Sequence, residues 1–305
     1  MKILFCIAVS MLQSILLFGQ LRVQRAMFTQ YHFNALAINP AYSAIEDEIR
    51  LTALSRHQWV GFKGAPQTQT LTAAMPLANE KTSVGLYLIN DKIGVETEQA
   101  VFATLAQKVQ LSEKAYLSAG FTAGAGFYLG DYHSLTELDP VFSTVSEWRS
   151  NFGLGVLYYD DQWEAGVSVP YFVKFGLSGT ATSAGVSKIA SDVYLTANYR
   201  FAVNEYIKAK PSVLVKYTAG VPLQFDANVN AYFDEKGLWL GLGYRSNSAF
   251  LAMFQVRLTT QMQLGYSHDF ATDLQVKRQT GTHEVMLNYR IPTRNSSVKT
   301  GSFRF

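Results

Sequence analysis

Two-faced segments recur along this chain and constrain its fold more than any other feature of the sequence. Residues 261–270, QMQLGYSHDF, carry Met262, Leu264 and Tyr266 in alternation with Gln263 and Ser267. Successive side chains of a strand point to opposite faces, so this period of two predicts a strand with one apolar and one polar side. The same alternation appears in residues 191–202, 222–233 and 282–291.

We predict about 14 such strands, an even number as in bacterial outer-membrane barrels. Their approximate spans are 48–59, 67–77, 82–90, 95–110, 115–128, 150–160, 162–170, 191–202, 206–219, 222–233, 237–245, 249–259, 261–270 and 282–291. The odd-numbered connections include all the long ones, which are 129–149, 171–190 and 271–281. The even-numbered connections are uniformly short. Short periplasmic turns that alternate with longer external loops are typical of outer-membrane barrels, whereas a soluble β-sandwich has no reason to show this parity.

The sequence therefore predicts an all-β fold, a closed antiparallel barrel that spans the outer membrane. A sheet in hydrocarbon must close on itself, because an open edge would leave backbone N–H and C=O groups without partners. The apolar face then meets lipid and the polar face meets the lumen. Aromatic residues near predicted strand ends suit the interfacial girdles of such a barrel: Trp59, Tyr217, Trp239, Tyr244 and Tyr289.

Composition agrees with this fold class and excludes others. Charged residues make up 16% of the chain, below the ~25% of soluble domains, and a mean hydropathy of +0.04 argues against a helical membrane protein. The formal net charge of +3 gives no electrostatic case for binding nucleic acid.

Four regions follow one another along the chain. Residues 1–20 read as a secretory signal peptide, with Lys2 before an apolar run that is short for a membrane-spanning helix, the alternative interpretation. Residues 21–47 form an N-terminal periplasmic or plug segment, residues 48–291 the barrel, and residues 292–305 a C-terminal periplasmic tail. Removal of the signal peptide takes away Cys6, the one cysteine, so the exported chain does not depend on disulfides.

Several short motifs, in order along nearly the whole mature chain, resemble the PorP/SprF family of type IX secretion outer-membrane proteins from Bacteroidetes. They are FTQY at 28–31, LAINPAY at 36–42, QWVGF at 58–62, GAPQTQT at 64–70, LINDKIG at 88–94, GDY at 130–132, NFGLGV at 151–156, VSVP at 167–170 and HEVML at 283–287. The chain departs from the family pattern at Ser43-Ala44 and at His57, and neither departure affects the fold.

The resemblance implies an outer-membrane barrel with a role in type IX secretion, whose cargo carries a C-terminal sorting domain. Some members belong to the core machinery, and others hold one large surface adhesin on the cell, as in gliding motility. We expect the second role, in which the barrel anchors and displays the adhesin. The alternatives are a core component that links the outer membrane to a periplasmic partner, and a passive porin or hydrophobic-solute channel. Expected partners are the cargo, a periplasmic machinery protein and outer-membrane lipid.

Three groups of residues are candidate sites. The exposed aromatic and polar residues of the external loops are expected to bind cargo: Asp131, Tyr132, His133, Phe142, Trp148, Tyr171, Phe172 and Phe175. The N-terminal block is expected to form a plug or to contact a periplasmic partner through Phe28, Tyr31, Phe33, Asn34, Asn39, Pro40 and Tyr42. Alternation places Arg56, Arg200, Asp226, Arg245, Arg257, Glu284 and Arg290 in the lumen, where they either pair across strands or line a ligand path.

Signals for catalysis are weak. The histidines His32, His57, His133, His268 and His283 have no zinc-site spacing, and the chain has no G-x-S-x-G motif. Gly120, Gly124 and Gly126 fall on the lumen side of one predicted strand, where small residues relieve crowding or allow bending. We therefore expect no enzymatic activity, no cofactor and no metal site.

Overall fold

The computed structural model describes residues 27–45, 47–135, 144–179, 191–246, 248–272 and 280–293, with the backbone alone for 135 and 172–179. The predicted signal peptide, Phe142 and residues 294–305 of the predicted tail lie outside these ranges. Three short 3₁₀ helices, Ala35–Ala37, Pro40–Ala44 and Tyr132–Leu135, accompany the strands. No helix of the described chain is long and apolar enough to cross a membrane.

The strands follow the prediction closely in number and order. They are β1 Ile49–His57, β2 Gln67–Pro76, β3 Thr82–Ile93, β4 Glu96–Gln110, β5 Tyr116–Asp131, β6 Thr144–Tyr159, β7 Trp163–Gly179, β8 Asp192–Tyr199, β9 Phe201–Ala202, β10 Ile207–Thr218, β11 Gln224–Phe233, β12 Leu238–Arg245, β13 Ala249–Arg257, β14 Met262–Ala271 and β15 Thr282–Ile291. The two-residue β9 continues β8 beyond Arg200, because both pair with β10 in one register.

The sheet closes on itself. Consecutive strands pair antiparallel, except that β8 and β9 both pair with β10, and β1 pairs with β15 from Ile49 opposite Ile291 to His57 opposite His283. With β8 and β9 counted as one, the described chain forms a closed 14-strand antiparallel barrel. The predicted fold class is confirmed, and closure gives each strand of the described barrel an antiparallel neighbour on both sides.

Burial alternates along the strands as the sequence predicts. On β2, Thr68, Thr70 and Thr72 are buried, whereas Leu71 and Met75 are exposed on the outer surface. Polar residues therefore face inward and apolar residues face lipid, the reverse of a soluble protein. One expectation was wrong: Trp239 does not belong to the outer girdle, because it points inward and stacks on Tyr232 with ring centroids 4.1 Å apart.

The two ends of the barrel differ. At one end the connections are short, 77–81, 111–115, 160–162, 203–206, 234–237 and 258–261. The long connections 58–66, 132–143, 180–191 and 272–281 lie at the other end, which we take as extracellular by the general rule for outer-membrane barrels.

Strands β4 to β7 are the longest of the described barrel and rise above the rest of it, and β5, β6 and β7 are longer than was predicted. They contain 15, 16, 16 and 17 residues, whereas β12 has 8 and β15 has 10. A tilted strand of ~10 residues already crosses the bilayer. The extra residues include 129–131, 144–149 and 171–179, which were predicted as loop, and we call the extracellular ends of these four strands the raised wall.

A bulge interrupts the raised wall at Pro170. Residues 170–172 of β7 lie opposite the single residue Gly153 of β6, because the register shifts between Phe152 and Leu154. Proline has no N–H for the ladder and is tolerated at bulges. The freed carbonyl of Pro170 accepts a hydrogen bond from the Asn151 side chain at 3.1 Å, so the irregular backbone is satisfied from inside the barrel.

A periplasmic turn links three strands. The Asp160 carboxylate accepts hydrogen bonds from the backbone N–H groups of Gln162 and Trp163, both at 2.7 Å, and Arg200 donates to the Asp160 carbonyl at 2.6 Å. Partial burial opposes ionisation, but these donors together with Tyr158 hold the pKa of Asp160 below its usual value. The break between β8 and β9 at Arg200 is thus fixed to the β6–β7 turn.

Residues 27–45 lie inside the barrel, and we call them the inner segment. Its residues are mostly buried, including Thr29, Gln30 and Ala41 at 0% exposure. Its contacts reach strands all around the wall, from Ser118 on β5, which donates to the Ala41 carbonyl at 2.9 Å, to Ser212 on β10, which bonds His32 at 2.9 Å.

Wall glycines make room for the inner segment. A Cβ atom on Gly120 would lie 2.5 Å from the backbone of Pro40 and Ala41, and one on Gly155 would lie 2.0 Å from the Asn39 side chain. These distances are well inside van der Waals contact. The lumen-facing position of Gly120, noted in the sequence, therefore has a steric reason.

Substitution Gly120→Val is expected to displace the inner segment while the barrel still forms, because the new side chain would overlap the backbone of Pro40 and Ala41. A reporter cysteine at buried Ser43 should be unreactive to a thiol reagent in the parent and become reactive in the variant. The matched control is Ala119→Val, one residue away on the lipid-facing side. An unreactive reporter in both variants would contradict this packing.

Candidate functional site

Five charged side chains form one buried network in the extracellular half of the lumen. Arg56 on β1 donates to Asp269 on β14 at 2.7 Å and to Glu284 on β15 at 3.1 Å. Arg245 on β12 donates to Asp226 on β11 at 2.7 Å and to Asp269 at 3.2 Å. All five are at most 5% exposed, so the predicted cross-strand pairing holds here and the charges are held by one another.

The inner segment is part of this network. The Glu284 carboxylate accepts the backbone N–H groups of Thr29 at 3.1 Å and Gln30 at 2.7 Å, and the Thr29 hydroxyl donates to Asp269 at 2.7 Å. Arg56 in turn donates to the Thr29 hydroxyl at 3.2 Å. Charge-assisted hydrogen bonds are about twice as strong as neutral ones, so these contacts fix the start of the inner segment.

Neutral hydrogen bonds hold the rest of the inner segment. Asn34 donates to the Thr70 hydroxyl at 3.1 Å and accepts from the Thr72 hydroxyl at 3.0 Å, which satisfies both ends of its amide. The Ser168 hydroxyl donates to the Ile38 carbonyl at 2.6 Å. The segment is thereby bonded to β2 on one side of the lumen and to β7 on the other.

Apolar packing fills the space between these bonds. Phe28, Tyr31 and Ile38 form one buried cluster with wall residues that include Tyr87 and Phe102. The Tyr87 and Phe102 rings are 5.7 Å apart. Aromatic pairs at such distances add about 0.5–1.5 kcal/mol beyond area burial. The polar wall therefore encloses an apolar core of its own, built around the inner segment.

The structure places every predicted plug residue within the lumen. Phe28, Tyr31, Asn34, Asn39 and Pro40 are buried, and Phe33 and Tyr42 are partly buried against the wall. The predicted lumen-facing residues also point inward. Arg56, Asp226, Arg245 and Glu284 share the network above, whereas Arg200, Arg257 and Arg290 lie near the periplasmic end, where Arg200 pairs with Glu164 at 3.3 Å.

The inner face of the raised wall carries a second polar cluster. The Tyr132 hydroxyl donates to Glu96 at 2.7 Å and bonds the Tyr128 hydroxyl at 2.6 Å. Arg149 lies 3.8 Å from the centre of the Tyr128 ring and pairs with Glu147. The cluster ties β4, β5 and β6 together above the membrane.

The predicted cargo-binding residues are dispersed. His133 is exposed, whereas Trp148 lies on the outer face of β6, 50% exposed, and Tyr171 packs against Phe102 inside the lumen. Asp131 ends β5 and Tyr132 joins the polar cluster. Phe172 and Phe175 lie in β7 rather than in a loop, their side chains outside the described part of the structure, as is Phe142. The prediction that these residues belong to loops was wrong for Asp131, Trp148, Tyr171, Phe172 and Phe175.

Sequence comparison identifies the family. The model of the type IX secretion system membrane protein PorP/SprF matches residues 21–289. The chain belongs to the PorP/SprF family.

Solved structures similar to this PorP/SprF protein are outer-membrane barrels. A deletion mutant of the monoaromatic hydrocarbon channel TodX, deltaS2, matches with a TM-score of 0.51 at 10% identity, covering 85% of this chain and 94% of that one. The deltaS2S3 mutant of TodX matches with a TM-score of 0.50 at 11% identity, again covering 85% and 94%. At these identities the likeness concerns the fold alone. No curated protein sequence matches the chain.

Charges on the inner surface of this PorP/SprF barrel are segregated along its axis. Among the side chains that the structure describes, carboxylates outnumber cations in the inward-facing charges of the extracellular half, which are Asp91, Glu96, Glu98, Glu147, Asp192, Asp226, Asp269 and Glu284 with Arg56, Arg149, Lys216 and Arg245. Cations outnumber carboxylates on the strands of the periplasmic half, with Arg50, Lys108, Arg200, Lys208, Lys210, Arg257 and Arg290 against Glu164. Sequence alternation alone could have revealed this pattern once both ends of every strand were assigned.

Three histidines align on the outer surface near the extracellular rim. His57, His283 and His268 are register partners across β1, β15 and β14, and the Nδ1 atoms of His268 and His283 are 3.4 Å apart. Within the described ranges, no group of three His, Cys, Asp or Glu residues is arranged to hold a metal ion.

Substitution Arg56→Ala is expected to destabilise the barrel by about 3–5 kcal/mol, because it leaves Asp269 and Glu284 buried with less compensating charge. The unfolding midpoint in urea, followed by tryptophan fluorescence in detergent micelles, measures the loss. A Glu284→Gln change in the same chain should recover part of it, since one buried charge is then removed.

The control is Lys108→Ala, whose partner Asp47 is 62% exposed. Exposed pairs contribute about 0–1 kcal/mol, so this variant should unfold close to the parent. Equal losses in the two variants would contradict a special role for the buried network.

Proposed function

We propose that this chain anchors and displays one type IX cargo, an adhesin with a C-terminal sorting domain, on the outer surface of the cell. Membership of the PorP/SprF family and the outer-membrane barrel fold provide the setting. The observation that carries the proposal is the occupied lumen: the inner segment is bonded to Glu284 and Asp269 at one end and to β7 further along. A barrel filled in this way is suited to a mechanical role.

A filled lumen argues against the alternative of a passive channel. A solute path would need the inner segment to leave, and with it the charge-assisted hydrogen bonds that Thr29 and Gln30 donate to Glu284. The hydrocarbon-channel function named for TodX belongs to that protein, and its likeness here extends to fold alone.

The raised wall is the surface we propose for cargo docking. It extends beyond the membrane on β4 to β7, and its polar cluster of Glu96, Tyr128, Tyr132 and Arg149 makes it rigid. Rigid scaffolds that carry long connections are the usual place for recognition, and both 132–143 and 180–191 leave from this wall. The candidate contacts Asp131, Trp148, Phe172 and Phe175 belong to strands of this wall, and Tyr132 and His133 follow β5 directly. Phe142, also a candidate, belongs to the connection 132–143 and lies outside the described residues.

A core secretion component would instead act through the periplasmic end. Affinity purification of the tagged protein from its own cells separates the two roles. An anchor should co-purify with one large cargo protein, whereas a core component should co-purify with other proteins of the secretion machinery. Deletion of a core component should also stop the secretion of every type IX cargo.

Shortening the connections 132–143 and 180–191 to tight turns is expected to release the adhesin into the medium while its secretion continues. Surface labelling of intact cells and blotting of the medium measure the distribution. The control shortens 272–281, a connection of similar length at the same end but away from the raised wall. Full retention of adhesin after both raised-wall deletions would refute docking at this wall.

The unchanged protein is expected to be electrically silent in a planar bilayer, because the inner segment occupies the lumen. Removal of residues 27–45 should produce steady conductance, provided that the truncated barrel still shows a heat-modifiable shift on a gel. Steady conductance of the full mature protein would favour a channel over an anchor.

A further inference from the structure

One row of side chains crosses the outer surface of five neighbouring strands and differs from the rest of the lipid-facing wall. Cross-strand register aligns Gln69 on β2 with Asn90 on β3, Gln99 on β4, Phe127 on β5 and Trp148 on β6. These five residues line one open groove in the outer surface. Amides at one end and aromatic rings at the other are an unusual combination beside a membrane.

The amides form a hydrogen-bonded ladder. Asn90 donates to the Gln69 carbonyl oxygen at 2.6 Å, and Gln99 donates to the Asn90 carbonyl oxygen at 3.1 Å. Each side-chain amide has two N–H donors and an oxygen with two lone pairs, so the ladder engages one donor of Asn90 and one of Gln99. The ladder fixes the orientation of the amides, and the Gln99 oxygen and the second N–H groups take no part in it.

The aromatic end provides a flat apolar surface. The rings of Phe127 and Trp148 are 5.4 Å apart, and Trp148 is 50% exposed. Such a surface packs against the C–H face of a sugar ring by dispersion, and Trp adds an N–H donor at its edge. Ordered amides next to an exposed indole suit a ligand with both hydroxyl groups and an apolar ring face.

The row lies at the upper limit of the apolar band on this side of the barrel. Directly below it, Leu71, Leu88 and Val101 are register partners on the outer face of the same strands, and Leu71 and Val101 are more than 40% exposed. Directly above it, Lys92 is the register partner of both Gln67 and Thr97. A ligand in the groove therefore meets hydrocarbon chemistry below and polar chemistry with one cation above.

We propose that this groove binds one saccharide-bearing lipid of the outer leaflet. An acyl chain lies on Leu71, Leu88 and Val101, the sugar ring packs on Trp148 and bonds the amide ladder, and Lys92 is within the polar region where a phosphate on the sugar would lie. The occupant is a lipid rather than a protein because the groove opens sideways from the membrane-spanning wall, continuous with the apolar band that acyl chains already cover.

The opposite side of the barrel shows what an ordinary interfacial girdle looks like in the same molecule. There Tyr244 packs against Phe225 and Phe250, with ring centroids 6.1 and 5.4 Å apart, and Phe250 is 58% exposed. That girdle is aromatic without an amide ladder. The groove is therefore a local feature of the raised-wall side and not a general property of the rim.

Native mass spectrometry of the full mature protein in detergent tests the site, with lipid A and phosphatidylethanolamine as the two probes. Lipid A carries phosphorylated sugars and acyl chains, whereas phosphatidylethanolamine carries acyl chains and a phosphate without a sugar. The parent should retain one lipid A at least tenfold more strongly than phosphatidylethanolamine. Trp148→Ala and Gln99→Leu should each reduce lipid A retention about tenfold.

Two matched controls share the chemistry without the groove. Trp163 is also 50% exposed and lies beside an aromatic ring, Tyr199, at the periplasmic end, and Gln107 is an outward glutamine on the same strand as Gln99. Trp163→Ala and Gln107→Leu should leave lipid A retention unchanged. Equal retention of the two probes would overturn the proposal, because the groove would then bind acyl chains without recognising a sugar. Equal losses in the groove and control variants would also overturn it.

Discussion

Backbone hydrogen bonding in hydrocarbon is the constraint on which the rest of this structure depends. Water is absent there, so every strand needs a partner on both sides, and pairing of β1 with β15 supplies the last one. Closure creates a lumen, and alternation then sends every second side chain into it. The wall must therefore either enclose water or satisfy its polar residues from within. In this chain, residues 27–45 satisfy the polar residues of the wall, and buried Asn34 and Thr29 make hydrogen bonds to wall residues directly.

The buried ions show how that solution is balanced. Arg56 and Arg245 face three carboxylates, Asp226, Asp269 and Glu284, and the excess negative charge is met by N–H groups of the inner segment. A buried pair often contributes little net stability relative to an apolar pair, but removing one member is costly. The network therefore acts mainly on specificity: the wall and the inner segment complete each other only in one arrangement.

Sequence reasoning predicted the strands because lipid imposes a strict period of two. The prediction of strands failed above the bilayer, where lipid no longer imposes this alternation. The raised wall extends above the bilayer, so residues 144–149 and 171–179 lose the pattern and read as loop although they pair. The Pro170 bulge shifts register in a way that no local pattern records. The error at Trp239 had another cause. Trp239 lies an even number of residues from inward-facing Arg245 on β12, so alternation places it inward, but its aromatic side chain led to its assignment to the girdle. The contacts of Thr29 with Asp269 and Glu284 join residues more than 200 positions apart, which one sequence does not reveal.

Those long separations also couple closure of the barrel to placement of the inner segment. The seam between β1 and β15 brings Arg56 opposite Glu284, and the same Glu284 receives the N–H groups of Thr29 and Gln30. The last strand thus supplies the acceptor for the start of the inner segment. If the seam closed on an empty lumen, nineteen residues would then have to enter a finished wall whose glycines leave little spare room. The cheaper order is for the strands to close around a segment that is already in place.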